Sequence, residues 1–481
     1  MLLTSRVFVI YIRSSESYYW DMTMKNVICA LTIAGSDSGG GAGIQADLKT
    51  FAALGVHGMA AITAITAQNT VAVRAVQDID PDMVKAQIDA VAEDIGVDAV
   101  KTGMLHTHEI IKAVAEQIEK YDFPTVVDPV MVAKSGARLL KKDAAKTLIH
   151  ALFPLATVVT PNAMEAEVLS GVNIRGIDDA KDAAQAIARL GPKAVVVKGG
   201  HLFGTKAIDV LYYEDAFRFF EAERLETKTT HGTGCSFSSA IAAELAKGAS
   251  VVEAIGVAKA VITRGIKFGL PIGEGHGPVN PLATLYNDAN KYYTITQVQD
   301  AVEVLEAHPE VSTLIPESQT NIVMALPYAL GVLDVAGVPG RVVRVGTRVQ
   351  ASSCPAFGAS SHMARTILAV MKYDRSIRAC MNIRYSEKIL DICTNLGLVL
   401  SSYDRRKEPS AVKRVEGMTT PWGAEQAIKQ IGRVPQVLFH TGDWGKEPMI
   451  ILLAKTSTEV ADLAVQIAGE HQRRRSGPEE K

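Results

Sequence analysis

The feature that most constrains the fold is an alternation of short apolar runs with amphipathic helical patterns, which begins near residue 27. The runs VICALTIAG, AAITAIT, VDAVKTG, PTVVDPVM, ATVVT and KAVVVKG are typical of strands buried in a parallel sheet. Segments such as IQADLKTFAALG and HEIIKAVAEQIEKYD have helical periodicity between them. This order predicts an α/β fold with a doubly wound, mostly parallel sheet, and AIDVLYYEDAFRFFEAERL predicts a hairpin at its edge.

Composition narrows the class of protein. The chain has 481 residues, 48% of them hydrophobic, and a net charge of −2, which argues against nucleic acid or an anionic membrane surface as a partner. Five cysteines without a CxxC pair argue against a disulfide framework and a thiolate zinc site. No stretch approaches the length of a membrane span. We therefore expect a soluble cytoplasmic protein that acts on small molecules, as a homodimer or higher homo-oligomer.

A second pattern of strands and helices begins near Thr296, which we expect to cap a helix over QVQDAVEVLEAH. It predicts a smaller second α/β domain. Met22 and Met24 precede the first strand, so the chain's start is expected to be an extension or an over-called start. The expected divisions are an N-terminal extension at 1–24, a first domain at 25–285, a linker at 286–295, a second domain at 296–470 and a charged, disordered tail at 471–481.

Two glycine-rich stretches stand where strands or loops lead into helices. LTIAGSDSGGGAG (31–43) indicates either a ligand-binding turn or merely a tight strand-to-helix connection. In THGTGC (230–235), successive glycines and a helix N-terminus suit an anion such as a transferring phosphoryl group. Cys235 follows these glycines, where a helix start favours the thiolate, although an inert small residue is the alternative.

Polar residues follow three of the expected parallel strands. Asn162 and Glu165 follow ATVVT, Asp128 follows PTVV, and Lys198 ends KAVVVK. Each could be a helix cap or a solvated strand end, but α/β ligands bind at the carboxyl edge of the sheet. A carboxylate with an amide there can hold Mg²⁺ through water.

These stretches, in this order, resemble the hydroxymethylpyrimidine and hydroxymethylpyrimidine-phosphate kinases of thiamine biosynthesis. The resemblance rests on AGSDSGGGAGIQADLKTF, TAITAQNT, KTGML, DPVMVAKSG, TPNAMEAE, VKGGH and THGTGCSFSSA, and covers about Val27 to Leu285. It implies a ribokinase-like fold and two successive ATP-dependent phosphorylations. A pyridoxal kinase of the same superfamily is the nearest alternative, whereas a cysteine in place of the aspartate of sugar kinases points away from those enzymes.

The resemblance also implies roles for individual residues. Gly35, Asp47, Gln68 and Met104 would hold the pyrimidine, and Gly232, Thr233, Gly234 and Cys235 would form the anion hole. Asp128, Asn162, Glu165 and Lys198 would serve ATP and Mg²⁺, with no permanent metal site. Chemically, Gln68 can offer a donor and an acceptor to an aminopyrimidine, and Asp47 can accept from its exocyclic amine.

The second domain has fewer informative residues. Arg341, Arg344 and Arg348 crowd the stretch PGRVVRVGTRV, and His362 and Arg365 stand at a probable helix start after small hydroxyl residues. Together they indicate a phosphate-binding region, although a solvated edge strand and a helix cap are the simpler alternatives. RYSEK, YDRRKEP and HTGDWGKEP place further polar residues directly after strands.

The pattern from NIVMALPYA to GDWGKEP, roughly 296–468, resembles the archaeal-type thiamine-phosphate synthase domain. That resemblance implies condensation of the pyrimidine diphosphate with hydroxyethylthiazole phosphate, which releases pyrophosphate. Arg341 and His362 are the candidates for clamping the diphosphate, with Asp443 and Lys446 as weaker ones. The alternative is a domain that only senses thiamine phosphate, since fold alone does not guarantee catalysis.

Overall fold

The computed structural model describes residues 27–131, 144–200, 204–413, 417, 419–443 and 446–476. The expected N-terminal extension, with Met22 and Met24, lies outside the described residues. Within the described part of the chain, no helix combines the length and the apolar character needed to span a bilayer.

The first domain is built on an eight-stranded sheet with the order β10-β9-β8-β7-β6-β5-β1-β2. Six neighbouring strands of this sheet are parallel, namely β8, β7, β6, β5, β1 and β2. Strands β9 and β10 form an antiparallel hairpin at one edge. This confirms the parallel sheet and the edge hairpin predicted from the sequence. A separate hairpin, β3 with β4, follows β2. The strands are β1 (Cys29–Ala34), β2 (His57–Ile62), β3 (Ala64–Gln68), β4 (Val73–Asp78), β5 (Ala99–Thr102), β6 (Thr125–Val127), β7 (Val158–Val159), β8 (Ala194–Val197), β9 (Lys206–Tyr213) and β10 (Ala216–Glu223).

Helices cover both faces of this sheet. The helices are α1 (Gly43–Ala53), α2 (Pro81–Asp94), α3 (His108–Tyr121), α4 (Ala144–Thr147), α5 (Ala163–Ser170), α6 (Ile177–Ala188), α7 (Thr233–Ala246) and α8 (Val251–Lys267). Ile88 and Ile111 belong to the core on one face, with α2 and α3, and Phe51 and Phe237 to the core on the other, with α1 and α7. The continuously apolar strands are buried because both of their faces meet helices.

The expected linker is part of a continuous helix, α9 (Ala283–Ala307). The segment 286–295 between the two domains is thus helical, and the prediction that Thr296 caps a helix is wrong because Thr296 lies inside this one. The buried stripe of α9 carries polar residues at Asn287 and Thr294 before it becomes apolar at Val298, which hides the periodicity in the sequence. The buried Asn287 side chain is satisfied, because its amide donates to the backbone oxygen of Tyr328 and its oxygen accepts from the backbone N–H of Tyr328, each at 2.9 Å.

The second domain has a seven-stranded sheet with the order β15-β12-β11-β16-β19-β18-β17. Every neighbouring pair is antiparallel except β17 with β18. Polar residues that follow successive strands therefore do not all meet at one edge, as they do in the first domain. The strands are β11 (Ile322–Ala325), β12 (Val335–Gly337), β13 (Val342–Val345), β14 (Arg348–Ala351), β15 (Ala356–Phe357), β16 (Ala379–Arg384), β17 (Leu400–Ser402), β18 (Val437–His440) and β19 (Met449–Ala454), of which β13 and β14 form a separate hairpin.

Helices also pack on both faces of the second sheet, as expected for an α/β domain. They are α10 (Ser361–Val370), α11 (Glu387–Asn395), α12 (Ser410–Lys413), α13 (Thr419–Ile431) and α14 (Ser457–Ser476). Helix α14 extends through the first six residues of the expected disordered tail, so that prediction is wrong for 471–476. His471 is buried there and its Nδ1 lies 3.3 Å from the hydroxyl of Thr313.

Candidate active site

A cavity of about 930 Å³ opens at the carboxyl ends of the parallel strands of the first domain. The loops after β1, β5, β6, β7 and β8 and the start of α7 line it. Of the residues expected in a kinase site, all except Asp47 line this cavity, and they are Gly35, Gln68, Met104, Asp128, Asn162, Glu165, Lys198, Gly232, Thr233, Gly234 and Cys235. The sequence positions are far apart, and the parallel sheet brings them together.

Asp128 and Lys198 form a buried ion pair in the middle of the cavity wall. Nζ of Lys198 lies 3.2 Å from Oδ1 of Asp128. Asp128 is 3% exposed and also accepts from the hydroxyls of Thr160 and Ser238, both at 3.4 Å. Burial alone would lower the pKa of Lys198, but the nearby carboxylates, Asp128 first, leave it raised. The lysine therefore stays charged.

Glu165 and Asn162 form a capping box at the start of α5. Asn162 caps the helix by accepting from the N–H of Glu165 at 3.0 Å, and Glu165 Oε2 accepts from the N–H of Asn162 at 2.8 Å. Burial raises the pKa of Glu165 to about 7, with Asp128 adding to the effect and Lys198 opposing it. A second carboxylate close enough to raise the pKa of Glu165 favours an added cation at this place.

The start of α7 faces this ion pair. A Cβ built on Gly234 would lie 3.3 Å from Oδ2 of Asp128 and 3.4 Å from Nζ of Lys198. The first N–H groups of a helix have no acceptor within the helix, so this end attracts an anion. The amide of Thr233 is already used by the backbone oxygen of Thr230, at 3.3 Å. Of the residues expected to form an anion hole, Thr233 therefore has its amide already in use.

The thiol of Cys235 is not activated. Burial raises the pKa of Cys235 to about 11, and the charges of Asp47 and Asp128 add to the effect, while Lys101 opposes it. This pKa runs against the expectation that the helix start would favour the thiolate, because desolvation and two carboxylates outweigh Lys101 and the hydrogen bond from Gly43. The sulfur is protonated at neutral pH.

Asp47 lies beneath the cavity and not in it. Its carboxylate is fully buried and accepts from Thr32 at 2.6 Å, from Lys101 at 2.7 Å and from Ser239 at 2.7 Å. With three internal donors, Asp47 has no exposed oxygen for a substrate amine, which corrects its expected role. Asp47 instead anchors Lys101, a cavity-lining residue that the sequence did not single out because it stands within an apolar strand.

The glycine-rich loop after β1 is a self-satisfied turn. Asp37 accepts from the amides of Gly39, Gly41 and Ala42 at 2.8, 3.1 and 2.8 Å, so these amides do not point at a ligand. Burial would raise the pKa of Asp37, but hydrogen bonds, with that from His231 the largest, hold it below its usual value. LTIAGSDSGGGAG is thus a tight connection by its own hydrogen bonds, and Gly35, Asp37 and Gly43 of it also line the cavity.

His231 joins this loop to the β3–β4 hairpin. Its Nε2 lies 2.8 Å from Oδ2 of Asp37 and 3.3 Å from Nε2 of Gln68. Gln68 lines the cavity as expected, and Asp37 and His231 do so as well, although the sequence did not single them out. The signal was available, since His231 stands within the THGTGC motif itself.

Met104 and Gly35 form an apolar corner of the cavity. The amide of Gly35 donates to the backbone oxygen of Met104 at 3.1 Å, and a Cβ on Gly35 would lie 3.4 Å from the sulfur of Met104. Met104 packs with Ala64 and Val130 in a small cluster. A flat aromatic ring suits such a surface better than a sugar does.

The cavity continues beyond Lys198 towards α8. Lys259, Ile262 and Ile266 of α8 line this end, together with residues 222–227 after β10. Lys259 is held by a buried ion pair with Asp209 at 2.9 Å. Sequence reasoning missed this end because α8 has the pattern of an ordinary amphipathic helix.

The described residues contain no group of three or more histidine, cysteine, aspartate or glutamate side chains arranged to hold a metal ion. The carboxylates of Asp128 and Glu165 fit a different kind of site. Mg²⁺ commonly uses one or two protein carboxylates together with substrate phosphates.

Arg341 stands in the turn before β13 in the second domain. Its backbone has φ +84°, a left-handed conformation that a non-glycine residue rarely adopts, and its side chain is exposed. The guanidinium donates to the backbone oxygen of Ser318. The amide of Ser318 in turn donates to Glu447, which follows Lys446. Arg341 thus lies near the β18–β19 loop, where Asp443 and Lys446 form a backbone bridge.

His362 lies in the first turn of α10, with an exposed side chain. Its backbone oxygen accepts from the hydroxyl of Thr420 at 3.4 Å, so the start of α10 lies against the start of α13. Arg341 and His362 are therefore held by different neighbours. Both residues are exposed to solvent.

Comparisons with known proteins agree with this division. A family model described as phosphomethylpyrimidine kinase matches residues 37–280, and a model described as thiamine-phosphate synthase ThiN matches residues 297–466. The chain thus carries a hydroxymethylpyrimidine and hydroxymethylpyrimidine-phosphate kinase domain followed by a thiamine-phosphate synthase domain. Its first domain has the ribokinase-like α/β kinase fold.

Relatives match the chain over about half its length. A hydroxymethylpyrimidine/phosphomethylpyrimidine kinase of Rhizobium meliloti is 52% identical over 263 residues, which are 54% of this chain and 98% of that protein. The thiamine biosynthesis bifunctional protein ThiED of Geobacter sulfurreducens is 51% identical over 251 residues, 52% of this chain and 51% of that protein. The ADP complex of Bacillus subtilis pyridoxal kinase is 47% identical and has a TM-score of 0.50, covering 53% of this chain and 97% of that one.

Proposed function

Because the chain belongs to the phosphomethylpyrimidine kinase family, we propose that the first domain phosphorylates 4-amino-5-hydroxymethyl-2-methylpyrimidine and then its monophosphate with ATP. The observation that carries this proposal is that the start of α7, Asp128 and Lys198 converge on one point. A Cβ built on Gly234, at the start of α7, would lie within 3.4 Å of both Asp128 and Lys198. Such a point suits a phosphoryl group in transfer, because its transition state needs electrostatic stabilisation and positioning.

Each residue of the site has a distinct task in this reaction. Lys198 neutralises charge on the phosphates, and the amides at the start of α7 hold the oxygens of the transferring group. Met104 and Gln68 hold the pyrimidine ring and its polar edge. Cys235 keeps its proton at neutral pH, since burial raises its pKa to about 11, and therefore shapes the hole instead of acting as a base. A loose transition state makes little demand on a base.

Asp128 and Glu165 would hold Mg²⁺ together with the phosphates of ATP. The fit rests on their place in one cavity, and burial and the nearby Asp128 charge, which a cation relieves, raise the pKa of Glu165. When bound, Mg²⁺ supplies neutralisation of the charge on the phosphates. Glu165 must lose its proton to take part, and Lys198 remains charged throughout.

We propose that the second domain condenses the pyrimidine diphosphate with hydroxyethylthiazole phosphate. In this step the bond between the pyrimidine methylene carbon and the diphosphate breaks, and the thiazole nitrogen forms a bond to that carbon. The products are thiamine phosphate and pyrophosphate. The exposed side chains of Arg341, in the turn before β13, and His362, in the first turn of α10, are the candidates for holding the leaving diphosphate.

One experiment tests both steps. Purified protein is incubated with hydroxymethylpyrimidine, MgATP and hydroxyethylthiazole phosphate, and the products are separated by chromatography. We expect thiamine phosphate. Accumulation of pyrimidine diphosphate without thiamine phosphate would contradict the synthase step and favour a domain that only senses thiamine phosphate. Arg341→Ala should abolish the condensation and leave both kinase steps intact.

A pyridoxal kinase is the second candidate for the first domain, favoured by the similarity to the Bacillus subtilis enzyme. Competition between pyridoxal and hydroxymethylpyrimidine for phosphorylation distinguishes them. A higher kcat/KM for pyridoxal would overturn the pyrimidine assignment. We further propose a homo-oligomer in the reducing cytoplasm, and light scattering combined with size-exclusion chromatography tests the oligomeric state.

A further inference from the structure

The loop after β17 carries buried polar atoms with unused hydrogen-bonding capacity. Tyr403 is 7% exposed and Glu408 is 8% exposed. Among the described residues, three side-chain atoms of this loop have no hydrogen-bond partner: the hydroxyl of Tyr403, Nε of Arg405 and Oε1 of Glu408. Buried polar atoms in proteins are nearly always paired, so three in one loop indicate partners that a ligand supplies.

Aromatic side chains lie around the ring of Tyr403. The ring of His440, at the end of the parallel neighbour β18, lies 5.1 Å from the ring of Tyr403, and the ring of Trp422 lies edge-on at 6.2 Å. A Cβ on Gly423 would come within 2.2 Å of the Tyr403 ring, so that ring packs directly on the backbone of α13. The loop is therefore held against a rigid element.

His440 is a neutral donor in this group. Burial, and then the charge of Arg405, lower the pKa of His440 to about 4. Its Nδ1 accepts from the amide of Gly442 at 3.2 Å, so the neutral ring carries its proton on Nε2. Arg405 also acts on Tyr403. The pKa of Tyr403 is raised by burial, and the charge of Arg405 opposes this effect while that of Glu408 adds to it. These four side chains thus form one electrostatically connected group.

Helix α13 connects this group to His362, which is already expected to bind substrate. Helix α13 carries Trp422 and Gly423 against Tyr403, and its first turn bonds to the backbone of His362 through Thr420. A ligand that contacts Tyr403 could therefore extend towards His362.

We propose that Tyr403, Arg405 and Glu408 bind the aminopyrimidine ring of the diphosphate substrate, with the diphosphate directed towards His362. This inference rests on the proposed synthase function. A 4-aminopyrimidine presents a donor in its amine and an acceptor in its ring nitrogen, which match a free carboxylate oxygen beside free hydroxyl and guanidinium donors. A phosphate offers acceptors only, and the carboxylate of Glu408 would repel it. A flat ring also suits the aromatic surfaces of Tyr403 and Trp422.

Tyr403→Phe is the sharpest test because the hydroxyl has no partner in the described protein. If the hydroxyl had only a structural role, Tyr403→Phe would leave catalysis unchanged. Because the hydroxyl makes no hydrogen bond within the described protein, its removal should not lower thermal stability. We expect unchanged or higher thermal stability and a KM for synthetic pyrimidine diphosphate raised about tenfold, as for one lost hydrogen bond. The assay uses the full chain without ATP, so that the kinase site does not contribute, and the KM for thiazole phosphate should stay the same.

Glu408→Gln tests the recognition of the amine. We expect the KM for pyrimidine diphosphate to rise about tenfold, since the acceptor loses its charge and the hydrogen bond weakens. Glu425→Gln is the matched control, because Glu425 lies on α13 in a surface pair with Lys372 at 2.8 Å. Glu425→Gln should behave like the wild-type protein, and kinase activity should be unchanged in all three variants.

The outcomes separate this inference from the proposed function. If the wild-type protein forms thiamine phosphate and Tyr403→Phe and Glu408→Gln have wild-type KM values, the pocket is refuted and the synthase function stands. If the wild-type protein forms none, the synthase function fails, and calorimetric titration with thiamine phosphate decides the pocket. Weaker binding by both variants, about tenfold, then supports the pocket, and wild-type binding by both overturns it.

Discussion

The buried pair of Asp47 and Lys101 gives the most decisive prediction. Both side chains are fully buried, and Nζ of Lys101 lies 2.7 Å from Oδ2 of Asp47. Asp47→Asn leaves the charge of Lys101 buried without its counter-charge, which costs about 3–5 kcal/mol of the free energy of unfolding. The weakened hydrogen bonds from Thr32 and Ser239, at 2.6 and 2.7 Å, act in the same direction.

The double variant Asp47→Asn/Lys101→Met removes both charges. We expect it to recover most of the lost stability, because an apolar side chain fills the space without a desolvated charge. Urea unfolding, monitored by circular dichroism, measures the free energy of unfolding of both variants. The unfolding transition that shifts when MgADP is added is assigned to the kinase domain. Asp178→Asn is the control, since Asp178 pairs with Lys181 at the surface at 2.6 Å and should change stability by about 0.5 kcal/mol or less.

One result would refute this reasoning. If Asp47→Asn keeps wild-type stability within about 1 kcal/mol, well below the cost of an uncompensated buried charge, and raises the KM for hydroxymethylpyrimidine, Asp47 contacts substrate directly. The role implied by the family resemblance would then be right, and the position of Asp47 beneath the cavity would change when substrate binds.

Three further predictions concern the same cavity. The pKa of Glu165 is raised from its ordinary value of 4.5 to about 7, so between these pH values the folded protein holds a proton that the unfolded chain has lost, and stability falls as pH rises. Glu165→Gln should therefore reduce the difference between the thermal denaturation temperatures measured at pH 5 and at pH 8. Cys235→Ala should lower kinase kcat substantially but not abolish it, because the backbone amides remain, and total loss in a folded variant would contradict a shaping role. Gly234→Ala places a methyl group 3.3 Å from Asp128, so kcat should fall about 100-fold in a coupled ADP-release assay while the melting temperature changes little.

Much of the first domain could be predicted because its chemistry is local in the sequence. Continuous apolar strands alternating with amphipathic helices specify a parallel sheet, and a parallel sheet aligns the carboxyl ends of its strands. For that reason Asp128, Asn162, Glu165 and Lys198 could be assigned to one edge without knowing any distance. All four line the cavity.

Charge states could not be predicted in the same way. The sequence places Cys235 at a helix start, where a thiolate is favoured, but its pKa depends on burial and on Asp47 and Asp128, which are distant in sequence. The sequence likewise shows Asp47 as an available acceptor, whereas three donors from other elements use up its carboxylate. Only packing determines which polar groups keep free lone pairs.

The second domain shows the same division between sequence and tertiary structure. The sequence by itself determined a second α/β unit and the polar loop YDRRKEP that follows a strand. Whether polar loops share an edge depends on strand direction, and here the sheet is mostly antiparallel, with β17 and β18 the parallel pair. That pairing sets Tyr403 beside His440 and leaves Oε1 of the buried Glu408 without a partner in the described part of the chain, a result of long-range packing that no local pattern encodes.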